Sequence, residues 1–110
     1  MISKYGNIKL TDFKLSKMLQ SHDETTLTRV GVLFYAAPEM LARKPYRYEV
    51  DFWSLGVLGF YCFAKDYIIK VDNLENMDQE IATKKPNFDH YNSVWPPNVR
   101  MFLEQVFFEP

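Results

Sequence analysis

At 110 residues the chain suffices for a single domain, and a chain of this size buries roughly two thirds of the surface its unfolded form exposes. Thirteen Lys and Arg against 14 Asp and Glu leave a net charge of −1, which removes the electrostatic case for nucleic acid or an anionic membrane as partner. Aromatic residues make up 16% of the chain, enough for a well-filled core, and the single cysteine, Cys62, excludes an internal disulfide and points to an intracellular, cytoplasmic setting.

Tyr5-Gly6-Asn7 reads as a turn, and Ile8-Lys9-Leu10-Thr11 alternates as a half-buried strand does. Paired with Met1-Ile2-Ser3 it would make a short hairpin, marginal alone, so the pattern predicts a sheet whose other strands lie upstream. The first residues hold no apolar run able to serve as a secretory signal. From Phe13 to Val32 the chain is polar and irregular, and a loop of that length is more often functional than idle. Pro38 to Arg43 predicts a short helix with Pro in its first turn, stopped by Lys44-Pro45.

Between Val50 and Lys65 large apolar side chains point in every direction of a helix, and from Phe52 to Ala64 Ser54 is the only conspicuously polar residue. Such a run is too short to cross a bilayer, which needs about 20 apolar residues. The expectation is a buried core helix, with Cys62 an inert hydrophobe inside it. Asp72 or Asn73 would cap a further helix on which Leu74, Met77 and Ile81 share a face. Residues 87–98 read as loop. Asn98 would then cap an amphipathic helix bearing Val99, Phe102, Leu103, Val106 and Phe107. His22 and His90 read as solvated loop residues and Lys84-Lys85 as a wet surface patch.

The chain has no His or Cys pair at metal-ligand spacing, no Gly-rich phosphate loop and no Gly-x-Ser-x-Gly elbow. What it has is an ordered series: Thr11-Asp12-Phe13-Lys14-Leu15, Tyr35-Ala36-Ala37-Pro38-Glu39 and Asp51-Phe52-Trp53-Ser54-Leu55-Gly56. In this order and spacing the series closely resembles the activation segment and central helix of a eukaryotic protein kinase. Gly6 to Phe13 and Val50 to Val57 are most similar to the serine/threonine group that includes the cyclic-nucleotide-dependent and ribosomal-protein kinases, with the calcium/calmodulin-dependent group second. The resemblance runs over essentially the whole chain. It implies a mainly α fold: residues 1–110 as part of a kinase domain, the C-terminal lobe, with a remnant β-hairpin at the N-terminus. The activation segment would span about 12–39, the central helix about 50–65, and further helices about 73–83 and 99–108.

The resemblance also implies roles. Asp12 corresponds to the carboxylate that holds the magnesium bridging the ATP phosphates. Thr28, three residues before Gly31, corresponds to the threonine whose phosphate orders the segment, with the usual arginine partner outside this chain. Tyr35, Ala37, Pro38 and Glu39 belong to the loop that seats the protein substrate. Asp51, Trp53 and Gly56 are structural, Asp51 tethering a catalytic loop.

Three departures from the family pattern stand out. Lys14 replaces the glycine of Asp-Phe-Gly, where it should restrict the hinge, its ammonium either lying near Asp12 and competing with the metal or pointing into solvent. Val32 replaces a threonine or serine and cannot hydrogen-bond. The resemblance also starts after the catalytic loop, so the general base, the second magnesium ligand, the ATP-anchoring lysine and the nucleotide-covering sheet have no counterpart. Mg-ATP is therefore expected for a complete parent domain and no cofactor for this chain alone. Its partners would be a protein substrate or another protein, with no membrane insertion, and the missing lobe or a partner would cover the central helix. Left wet, four large side chains there forfeit about 6 to 12 kcal/mol, as much as a whole domain's stability, so the bare chain is expected to aggregate or stay molten. Two readings follow: part of a serine/threonine kinase, inactive as this polypeptide, or a non-catalytic, pseudokinase-like interaction module.

Overall fold

Apolar periodicity and turn residues place four helices among the described residues: α1 (Pro38–Leu41), α2 (Glu49–Ala64), α3 (Met77–Thr83) and α4 (Pro97–Phe108). Single 3₁₀ turns lie at Phe13–Leu15, Leu33–Tyr35, Leu74–Asn76 and Asp89–Tyr91. The computed structural model describes residues 1–91 and 94–108; Asn92 and Ser93, within the expected 87–98 loop, and Glu109 and Pro110 lie outside the described residues. The fold is mainly α, as expected. Its β content among the described residues is two isolated antiparallel bridges, Ile2 with Ile8 and Thr26 with Tyr46.

The expected N-terminal hairpin is thus reduced to one bridge around a tight turn, in which Ser3 Oγ accepts from the amides of Tyr5 and Asn7. Its strand is not half-buried. Ile2, Ile8 and Leu10 are all exposed, because alternation selects a face only when something packs on it.

Helix α1 opens on Pro38, whose missing N–H is harmless in a first turn. Arg43 then turns left-handed (φ 56°) and Lys44 N donates to Glu39 O, so the chain reverses. Helix α2 carries Glu49 and Asp51 in its first turn, where the helix dipole favours carboxylates. It stops at Lys65, left-handed at φ 54°, whose amide reaches Tyr61 O.

One side of α2 forms the core through Val50, Gly56, Val57 and Phe60, packed on α4 and on the 33–35 turn. The Phe60 ring meets the rings of Phe88, Tyr91 and Trp95. The opposite side stays open: Phe52, Leu55, Leu58, Tyr61 and Phe63 are between 41% and 55% exposed, and Cys62 is exposed rather than buried. A periodicity that is apolar all round marks sides able to be covered, and here the packing covers one. The radius of gyration, 15.0 Å, exceeds the roughly 13 Å of a compact chain of this length, in keeping with an N-terminal third that lies largely outside the core.

Helix α3 packs on α1 through its buried Ile81. Asn73 caps the preceding 3₁₀ turn by accepting from Glu75 N, but Leu74 sits in that turn and is exposed, off the predicted face. Helix α4 starts at Pro97, with Val99 N donating to Pro96 O, so Asn98 lies inside the first turn and is not the cap. Leu103 is fully buried, while Phe102 is partly open to solvent.

The segment before α3 is held by a polar clasp. The Glu80 carboxylate accepts from the amides of Asp72 and Asn73, both at 2.8 Å. Lys84 Nζ donates to Glu80 and Asp72, both at 2.6 Å, and to Lys70 O at 2.7 Å. Lys84 is therefore a structural cross-link and not a wet patch.

Two outcomes follow from this packing. A Cβ on Gly56 would lie 2.6 Å from Val106 Cγ1 and 2.8 Å from Phe107 Cζ, so Gly56→Ala is expected to cost about 1 to 3 kcal/mol in urea unfolding by prising α4 from α2. The Lys84 ammonium and the two amides depress the Glu80 pKa from 4.5 to about 2. A depressed carboxyl contributes stability above its unfolded value and loses it as pH falls through its folded one. Acid titration of wild type should show this contribution fading between about pH 4.5 and about pH 2, and Glu80→Gln should remove it.

Candidate functional site

The chain folds back at Gly31, at φ 95°, a left-handed angle that a side chain resists. The turn lays residues 12–32 across the start of α2 and encloses a cleft of about 950 Å³. Asp12, Phe13, Lys17, His22, Val32, Tyr35, Asp51 and Ser54 are among its lining residues. Four expected site residues from three separate stretches therefore share one cleft: Asp12, Val32 with Tyr35, and Asp51.

Asp12 is itself left-handed (φ 61°), a conformation Asp tolerates better than most residues. Lys14 stands within the 3₁₀ turn Phe13–Leu15 and is not among the residues with positive φ. The left-handed step falls at Asp12, one residue before Phe13. Of the two placements open to the ammonium, the structure shows the one near Asp12: Lys14 Nζ lies 3.3 Å from Asp12 Oδ2, both groups well exposed. Val32 is extended and exposed, presenting methyl groups to the cleft.

Ser54 fastens the floor. Its hydroxyl lies 2.8 Å from Tyr35 O and 3.0 Å from Val50 O, donating toward these carbonyls. The one conspicuous polar residue between Phe52 and Ala64 thus ties α2 to the Tyr35–Glu39 stretch. Ala37 is fully buried at the head of α1, and Pro38 and Glu39 are partly buried. Trp53 meets Phe107 edge to face at 4.8 Å, so Trp53 and Gly56 both serve the α2–α4 contact. The exposed Asp51 carboxylate, together with the dominant effect of burial, pushes the Tyr46 phenol pKa up.

Thr28 is exposed, and its hydroxyl lies 3.1 Å from that of Thr26, which accepts from Lys17 Nζ at 3.0 Å. Thr26 is buried in its bridge to Tyr46, and the Tyr46 hydroxyl donates to Thr28 O. Arg47 donates to His22 Nδ1 at 2.8 Å, and the Tyr48 hydroxyl approaches Nε2 at 3.3 Å, so His22 is not merely solvated. Lys17, Tyr46, Arg47 and Ser54 escaped assignment from sequence. Only Ser54, a lone hydroxyl in an apolar helix, carried a local signal.

A family model for the protein kinase domain matches residues 1–107. The chain belongs to the protein kinase domain family. Similar kinases include the serine/threonine-protein kinase Nek1 of Mus musculus, 28% identical over 96% of this chain and 9% of the relative. The protein kinase C eye isozyme of Drosophila melanogaster is 37% identical over 81% of this chain and 13% of its own length. The serine/threonine-protein kinase H1 homolog of Danio rerio is 34% identical over 83% of the chain and 21% of its own length. The chain thus spans between about a tenth and a fifth of these kinases, and aligns as part of a serine/threonine-type catalytic domain.

The kinase family uses Mg-ATP in its complete domain. The residues present do not by themselves fit that group. Asp12 already faces an ammonium, and no group of three His, Cys, Asp or Glu among the described residues is placed to hold a metal ion. Nor is any helix among them long and apolar enough to cross a membrane. Ser54→Ala should strip the donor from Tyr35 O and lower stability by about 1 kcal/mol, read as a lower urea midpoint with unchanged helical circular dichroism.

Proposed function

We propose that this chain is the activation segment (12–39), central helix (50–65) and following helices (73–83 and 99–108) of a serine/threonine protein kinase, acting inside the cell on protein hydroxyls. On its own it does not transfer phosphate. The observation that carries this reading is the gathering of Asp12, Val32, Tyr35 and Asp51 around one cleft, in a chain matched to the kinase domain over residues 1–107. In a complete domain Asp12 would offer one carboxylate oxygen to magnesium, Asp51 would tether the catalytic loop, and Tyr35, Ala37, Pro38 and Glu39 would seat the substrate. Phosphoryl transfer depends on several groups positioned together, and one carboxylate is at most a weak magnesium ligand.

The Lys14–Asp12 pair favours a second reading, a pseudokinase-like module that binds a protein without catalysis. An ammonium beside the carboxylate competes with the metal, and Val32 withholds a hydroxyl from the cleft. A chimera decides between the two. Residues 1–107 of this chain replace the matching stretch of an active serine/threonine kinase, and transfer from ATP to a peptide is measured. The enzyme reading expects residual activity that rises about ten- to a hundredfold with Lys14→Gly and Val32→Thr together, the scale of changes around metal ligands. An inactive chimera that both substitutions fail to revive establishes the module. For the chain alone, Mg-ATP should leave the melting temperature unchanged.

Thr28 is the regulatory phosphoacceptor in this reading. A phosphate there adds about −1.5 to −2 charge, and Lys17, one hydroxyl away, is the cation in this chain that would meet it. A semisynthetic chain with phosphothreonine at position 28 should melt a few degrees higher than the unmodified one. Lys17→Ala should cancel the gain, and an equal gain in that variant would remove Lys17 from the role.

A further inference from the structure

Residues 16–32 are fastened to the helical body along two lines. On one side lie Tyr46, Arg47 and Tyr48, through the Thr26 bridge, the Tyr46 hydroxyl on Thr28 O and the contacts to His22. On the other is one ion pair, Arg29 Nη2 to Asp78 Oδ2 at 2.5 Å, reaching the first turn of α3. Its partners are 49 positions apart, whereas every other ion pair among the described residues joins groups within 12 positions. The other pairs are local. Arg29–Asp78 alone among them joins this segment to a distant helix.

We propose that the Arg29–Asp78 pair is a releasable latch that fixes residues 27–32 against α3. Both side chains are partly open to water, 32% and 44% exposed, so the pair is weak, screened by salt and able to open without disturbing the core. Thr28 lies between the Thr26 bridge and Arg29, bracketed by two fastenings three residues apart. An enzyme that modifies Thr28 must take several residues on either side into its own cleft, which demands local release of the segment. The latch therefore sets how often Thr28 is presented, a consequence that rests on reading Thr28 as a phosphoacceptor.

Thermolysin tests the latch directly, because it cuts before large apolar residues and Leu27 is exposed. Cleavage of the intact chain at Leu27 is timed for wild type, Asp78→Asn, Arg29→Gln and the charge-reversed pair Arg29→Asp with Asp78→Arg. When opening is fast, cleavage tracks the open population. The two single variants should be cut about two- to fivefold faster, the scale of an exposed ion pair, and the reversed pair should return toward the wild-type rate. Equal rates in all four proteins overturn the latch, as does a reversed pair cut as fast as the single variants. No phosphate enters this assay, so its result is separate from whether Thr28 takes one, which phosphate incorporation would show.

Discussion

The closeness of α4 to α2 at Gly56 is the constraint on which the rest of the structure depends. Without a Cβ there, Val106 and Phe107 come to rest on the α2 backbone, and Trp53 meets Phe107 edge to face. That contact turns one side of α2 inward, seats Phe60 among Phe88, Tyr91 and Trp95 and fixes which side remains outward. Leu55 and Leu58, given to the outward side, stay exposed.

The same orientation builds the cleft. With Val57 and Phe60 committed to the core, the first two turns of α2 present Asp51 and Ser54 toward residues 12–35. Ser54 holds the backbone of Tyr35, and the bridge from Thr26 to Tyr46 holds the far end of the segment. The site is therefore made of loops strung from one rigid helix. Its fastenings are individually modest hydrogen bonds and one exposed ion pair, the energetic range in which segments open and close without unfolding a domain.

Much of this was legible in the sequence. The four helices among the described residues lie near where the sequence pattern puts them, with ends displaced by up to four residues: Pro97 in place of Val99, and Met77 in place of Asn73. The ordered series Asp12, Tyr35 to Glu39 and Asp51 to Gly56 pointed to the family that the comparison over residues 1–107 supports. The ammonium of Lys14 near Asp12 was one of two placements the sequence left open, since two residues separate them, and the structure shows that one. That the left-handed step falls at Asp12 was not legible, because which residue takes it depends on how the following turn packs.

Sequence alone determined what is local or carried by the order of motifs. That covers the helices, the absence of an internal disulfide, the membership in a kinase family and the chemistry each motif residue can offer. Tertiary structure decided what depends on contacts between distant residues. It left Cys62 and Phe52 outside although their pattern called for burial, and it made Lys84 a cross-link. It also paired Arg29 with Asp78 across 49 positions. The physical reason is common to all three: hydrophobic periodicity and charge specify what a side chain would gain from a neighbour, and only the packed chain specifies which neighbour is there.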